Sequence, residues 1–143
     1  MKGAMKNFSS KQYLKVCLSH LGMFAICFLC VLAVSCMGEN PNPALGAAMA
    51  GALGGIIFGL PCIGYAVAGI VNNKKSKTLP RQEGEIVNWA RGFWKNTGNV
   101  IVKIDDKEYS TPSYFFGEEA RELVGSKISF CLIEDTVYIF EVL

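Results

Sequence analysis

Two long runs without a charged side chain fill the N-terminal half and constrain the fold more than any motif does. The first runs from Val16 to about Met37, with His20 as its only strongly polar side chain, and the second from Ala44 to Val71. A membrane-spanning helix needs about 20 consecutive apolar residues, so each run is long enough. At ~1.5 Å per residue the second run exceeds the ~30 Å hydrocarbon core. It is therefore expected to tilt, or to bend near Pro61, which brings no N–H to the helical ladder. Gly38-Glu39-Asn40-Pro41-Asn42-Pro43 lies between the runs and interrupts any continuous helix. The expectation is a transmembrane helical hairpin: spans 16–37 and 44–71 joined by a loop at 38–43. The composition, 51% hydrophobic and 18% charged, excludes a disordered chain and argues against a wholly soluble one.

The charges are split along the chain. Lys2, Lys6, Lys11 and Lys15 precede the first run without an acid (a basic leader, 1–15), and Lys74, Lys75, Lys77 and Arg81 follow the second in a basic linker, 72–82. The loop between the runs carries only Glu39. Lys and Arg are retained on the cytoplasmic side, so both termini are expected in the cytoplasm. Lys74, Lys75 and Lys77 would also attract anionic headgroups, at about 1 kcal/mol each.

A second topology stays open. Ala33-Val34-Ser35-Cys36 resembles a lipoprotein cleavage site, which would make Cys36 a lipidated N-terminus and place the rest outside the cytoplasm. Ala33 stands where a leucine is usual, and the apolar stretch is longer than the 7–15 residues of an ordinary signal core.

Within the second run, Ala47, Gly51, Gly55 and Gly59 recur every four residues and so form one helical stripe. Small residues let another membrane helix approach closely. The stripe packs either on the first helix of the same chain or on a partner, including a second copy. It resembles the glycine-zipper regions of several bacterial membrane proteins, a compositional likeness that implies no activity.

Five cysteines, Cys17, Cys27, Cys30, Cys36 and Cys62, lie in or beside the apolar runs, where they read as small packing residues; Cys17 and Cys36 sit near membrane edges, where palmitoylation is a further reading. Cys27 and Cys30 have C-x-x-C spacing, but hydrocarbon disfavours the thiolate that redox motif needs. His20 is the only histidine, so the C-terminal half holds no Ser-His-Asp or Cys-His pair and no histidine zinc site. Its single Cys131 cannot form a thiolate cage. No cofactor is expected, and the chain is not expected to be an enzyme.

Residues 83–143 read as a small β-domain. Glu85–Trp89 is β-rich, and Val100, Val102 and Ile104 alternate towards one face. Asp105-Asp106 turns the chain back into Lys107–Thr111. Gly117–Val124 reads as a short helix with Ala120, Leu123 and Val124 on one face and Gly125 as its stop. Ile128, Phe130 and Leu132 alternate, Glu134-Asp135 turns, and Thr136–Val142 closes a last hairpin. Three strands, a short helix and two strands are the order of a five-stranded OB-like barrel, with an SH3-like barrel as the alternative. The expected fold class is α+β: a two-helix transmembrane hairpin followed by this barrel.

The stretch Gly98-Asn99-Val100-Ile101-Val102-Lys103-Ile104-Asp105-Asp106-Lys107-Glu108-Tyr109 resembles the G-x-V-x-I-x-G-x-x-Y segment of NfeD-like OB domains, with Asp106 where a glycine is usual. Val124-Gly125-Ser126-Lys127-Ile128 and the final strand are similar to their closing G-x-x-V and last hairpin. The resemblance covers about the last 45 residues. It implies a barrel held at the cytoplasmic side of membrane helices, acting with membrane partners and not as an enzyme.

From Leu79 onward seven basic residues face eleven acidic ones, a net −4. Such a domain repels phosphate, so no nucleic-acid partner is expected. In Arg91-Gly92-Phe93-Trp94-Lys95 two rings flanked by basic residues would either touch headgroups or a partner, or cover one end of the barrel. The acidic groups Asp105/Asp106/Glu108 and Glu118/Glu119/Glu122 fit turn and helix-start chemistry. The expected partners are the lipid bilayer and a membrane protein or second copy at the second helix. An accessory subunit of a transport complex is a further reading.

Overall fold

The computed structural model describes residues 5–37, 41–92, 97–112, 115–116 and 120–143. Two long apolar helices precede a closed five-strand barrel with one short helical turn. In chain order the elements are β1 (Met5–Lys6), α1 (Phe8–Cys36), α2 (Pro43–Gly54), a π-helical turn (Gly55–Gly59), α3 (Leu60–Ser76), β2 (Gln82–Arg91), β3 (Thr97–Ile104), β4 (Lys107–Ser110), β5 (Phe115–Phe116), β6 (Lys127–Ile133) and β7 (Thr136–Val142). The chain forms two compact units, one of Met1–Tyr13 with Gly69–Leu143 and one of Leu14–Ala68.

The Leu14–Ala68 unit is a helical hairpin. Asn42 caps α2 by accepting the Leu45 N–H on Oδ1 at 3.0 Å, and Pro43 occupies the first turn, where its missing donor costs nothing. The π-helical turn ends at Gly59, two residues before Pro61, and the Leu60 N–H reaches back to the Gly55 carbonyl. A widened turn is a common way for a helix to absorb a proline that cannot donate. Phe8–Cys36 and Pro43–Ser76 are both long and apolar enough to cross a membrane. Their apolar side chains face outward: Leu18, Ile26, Leu29, Leu53, Ile57 and Ile63 are each at least 55% exposed. Exposed apolar surface of that extent marks a face that packs against lipid or another protein.

In the other unit β2, β3, β4, β6 and β7 close the barrel. β2 pairs antiparallel with β3 and β6, β3 with β4, and β6 with β7, while Ser110 of β4 meets Thr136 of β7 in parallel. β2 serves two neighbours because it bends: a register shift between Ile86 and Asn88 leaves Val87 extra. Such bulges turn barrel corners. Both expected two-residue turns are present. Asp105, Glu134 and Asp135 take positive φ, as tight hairpin turns require. Gly125, at φ 82°, ends the helical turn, and its N–H donates to the Ile86 carbonyl.

The core is Ile86, Val100, Val102, Ala120, Leu123, Ile128, Phe130, Val137 and Ile139, joined by Phe8 from the start of α1. Ile104 and Leu132 pack against it, partly buried. Val124 does not share the face of Ala120 and Leu123: among the described residues of this segment only Ala120 and Arg121 are helical, the chain then turns, and Val124 is 43% exposed. Residues 117–119 of the expected helix lie outside the described residues.

The leader is more than a basic tail. Met5 and Lys6 pair with Val142 and Glu141. β6 takes one edge of β7, so β1 lies on the edge that β4 leaves open. Covering an open edge removes a site of unwanted strand addition.

Candidate functional site

The candidate site is the junction where both helix ends grip the barrel. β6 and β7 are buried on both faces: Ile128, Phe130, Val137 and Ile139 belong to the core, and Ser129, Cys131, Tyr138 and Phe140 are also buried. Strands with two covered faces need something packed outside them. Here the first turns of α1 and the last turns of α3 supply it.

Four polar contacts fix this junction. The Ile139 N–H donates to Ser9 Oγ at 2.8 Å. The Asn72 amide donates to the Tyr13 phenol oxygen at 2.7 Å. The Tyr138 hydroxyl donates to Asn73 Oδ1 at 3.3 Å. Lys75 Nζ lies 2.7 Å from Glu134 Oε1 in the turn between β6 and β7. Tyr13 packs so closely on α3 that a Cβ at Gly69 would stand 3.0 Å from the Tyr13 Cβ.

The local electrostatics follow from burial. Burial pushes the Tyr138 phenol above its ordinary range, against smaller opposing hydrogen bonds from Ser10 and Ser76. It also pushes the Cys131 thiol up, opposed by the charge of Arg81. The Lys75 hydrogen bond holds the Glu134 carboxyl below its ordinary range. The Arg81 guanidinium stands 4.2 Å from the centre of the Phe140 ring, a cation–π arrangement. Beside the ion pair, Lys75, Thr78, Leu79, Leu132, Ile133 and Glu134 line an open depression of about 230 Å³. That is below the ~300–1,000 Å³ of ordinary small-molecule pockets.

The residues singled out from sequence distribute as follows. Lys74 and Lys77 are exposed on the last turn of α3 and just beyond it, and Lys75 is committed to Glu134. Phe93 and Trp94 lie outside the described residues. Cys36 is exposed at the end of α1. Among the described residues no group of three His, Cys, Asp or Glu is arranged to hold a metal ion.

The small-residue stripe divides in two. Gly46, Ala50 and Gly54 are the buried positions of α2. A Cβ at Gly46 would collide with the Ser35 side chain, and one at Gly54 would stand 3.0 Å from the Phe24 ring. This stripe carries the contact with α1. At Gly51, Gly55 and Gly59 an added Cβ meets nothing within 4 Å. Ala47 sits beside them, half-buried. The sequence stripe Ala47-Gly51-Gly55-Gly59 thus lies one residue round from the packed one.

Missed from sequence were Phe8, Ser9 and Tyr13, because a short polar leader shows no periodicity that would mark them. Comparison with protein-family models, curated proteins and solved structures returns no match.

Proposed function

We propose that the chain is a non-enzymatic, two-span membrane protein that holds a small OB-type barrel at the cytoplasmic face for protein interaction or scaffolding. One observation carries this reading: Phe8, only 1% exposed, is part of the barrel core, and Ser9 is bonded to β7. Cleavage before Cys36 would strip the barrel of both residues and of β1. The exported-lipoprotein reading is correspondingly disfavoured. The same packing favours N- and C-termini on one side of the membrane, and the basic residues at both flanks favour the cytoplasmic side.

The OB-type assignment is supported by strand order. The first strand of the barrel pairs with the second and fourth, and the third meets the fifth in parallel. The helical turn falls between the third and fourth. The open face at Gly51, Gly55 and Gly59 is the surface offered to a membrane partner or second copy. The acidic surface of the domain disfavours nucleic acid.

Intact-mass measurement of the full chain extracted from membranes tests this reading. A mass that includes Phe8 and Ser9 supports it. A chain beginning at a lipidated Cys36 overturns it.

A further inference from the structure

Within the helical hairpin, Cys17 of α1 and Cys62 of α3 face each other with their Sγ atoms 3.0 Å apart. The approach is reciprocal: Cys17 Sγ is 3.6 Å from the Cys62 carbonyl oxygen, and Cys62 Sγ is 3.4 Å from that of Cys17. Each thiol therefore points at the other's backbone, across 45 residues of sequence. Neighbouring contacts hold this register. The His20 ring, three residues nearer the loop than Cys17, and the Tyr65 ring, three residues farther from it than Cys62, pack across the pair at 5.3 Å between centroids. Towards the loop, Phe24 lies against Gly54 and Ser35 against Gly46.

Cys27 and Cys30 share the spacing of a redox motif yet lie on one helix. Cys17 and Cys62 have no such sequence signature, and it is the fold that pairs them. A disulfide requires sulfurs at about 2.05 Å and Cα atoms at about 4.4–6.8 Å. A side-chain rotation that closes the gap by about 1 Å meets the first condition.

We propose that Cys17 and Cys62 are a redox pair that closes to an intramolecular disulfide, locking α1 to α3. Both S–H bonds break and one S–S bond forms. Two electrons and two protons leave to a lipid-soluble two-electron acceptor of the quinone type, which becomes the quinol. This rests on the membrane reading proposed above: Cys17 lies near the membrane edge, not within the hydrocarbon like Cys27 and Cys30, and a lipid-soluble acceptor reaches the pair there.

The test uses the full chain in lipid vesicles, oxidised with diamide, a membrane-permeant two-electron thiol oxidant. The protein is then denatured and its remaining thiols are counted with a mass-tagged maleimide. The chain has six cysteines. Oxidation is expected to lower the count on the monomer by two, and dithiothreitol to restore it. Cys17→Ser and Cys62→Ser are each expected to give one fewer tag than reduced wild type, with or without diamide. Peptide mapping of the wild type reads the same bond without any variant, as a link between the segments carrying Cys17 and Cys62. An unchanged count after diamide, a disulfide-linked dimer in place of the monomer, or a bond that persists in Cys17→Ser would each overturn the proposal.

Discussion

The backbone N–H of Ile139 donates to Ser9 Oγ at 2.8 Å, across 130 residues of sequence. Ile139 lies on β7 between the stretch that meets β4 and the stretch that meets β1. The serine thus accepts a buried donor that no strand takes up on that edge. Ser9→Ala removes the acceptor and is expected to destabilise the barrel by about 1–3 kcal/mol, the cost of an orphaned buried donor. Denaturant unfolding followed by tryptophan fluorescence measures it. A change within error would show that β7 does not depend on α1.

Phe8 makes the larger contribution. Truncating a buried phenylalanine costs about 3–5 kcal/mol, because transfer and cavity terms add. Phe8→Ala is therefore expected to lower barrel stability by that amount, and Phe8→Leu by less. Lys11→Ala, on the exposed side of the same turn, is expected to leave stability within about 0.5 kcal/mol. Equal effects of Phe8→Ala and Lys11→Ala would contradict the placement of Phe8 in the core.

Alkaline pH should weaken the junction. The Tyr138 phenol and the Cys131 thiol are both raised in the fold above their ordinary values of 10.0 and 9.0. A raised folded value means that the unfolded chain loses its proton first. Their contribution is then complete below about pH 9 and is lost as pH rises through the folded values. Unfolding midpoints of wild type and Tyr138→Phe are expected to converge as pH increases from 9 to 11. Parallel profiles would contradict burial of the phenol.

The two glycine stripes should respond differently to bulk. Gly46→Leu and Gly54→Leu drive a side chain into Ser35 or Phe24, and are expected to disrupt the hairpin and lower folded yield in membranes. Gly51→Leu and Gly55→Leu enter open space and are expected to leave the hairpin intact. If the open face pairs copies of the chain, Gly55→Leu also abolishes crosslinked dimers in membranes. Hairpin loss with Gly55→Leu and not with Gly46→Leu would reverse the assignment of the stripes.

The contrast between these stripes shows what local pattern encodes. Gly46-Ala50-Gly54 and Ala47-Gly51-Gly55-Gly59 have the same period, and only the longer one stands out in the sequence. Which of them meets α1 depends on where Ser35 and Phe24 lie, a tertiary fact that spacing does not carry. The barrel strands were legible for the opposite reason. Val100/Val102 and Ile128/Phe130 alternate with a period of two, and Asp105-Asp106 and Glu134-Asp135 supply the turn chemistry. Strands β1 and β5 are two residues long and show no alternation. Phe8 looked like part of a basic leader because the rest of its core cluster, from Ile86 onward, lies more than seventy residues away. The Cys17–Cys62 pair was invisible for the same reason.

In the proposed topology a membrane hairpin anchors the barrel on the cytoplasmic side. The most direct measurement fuses two topology reporters, in separate proteins, after Leu143 of the full chain in a bacterial host: a fluorescent protein that matures in the cytoplasm, and an alkaline phosphatase that is active only outside it. A bright fluorescent fusion and an inactive phosphatase fusion, at equal expression, are the predicted result. An active phosphatase with a dark fluorescent fusion would place the barrel outside and contradict the account.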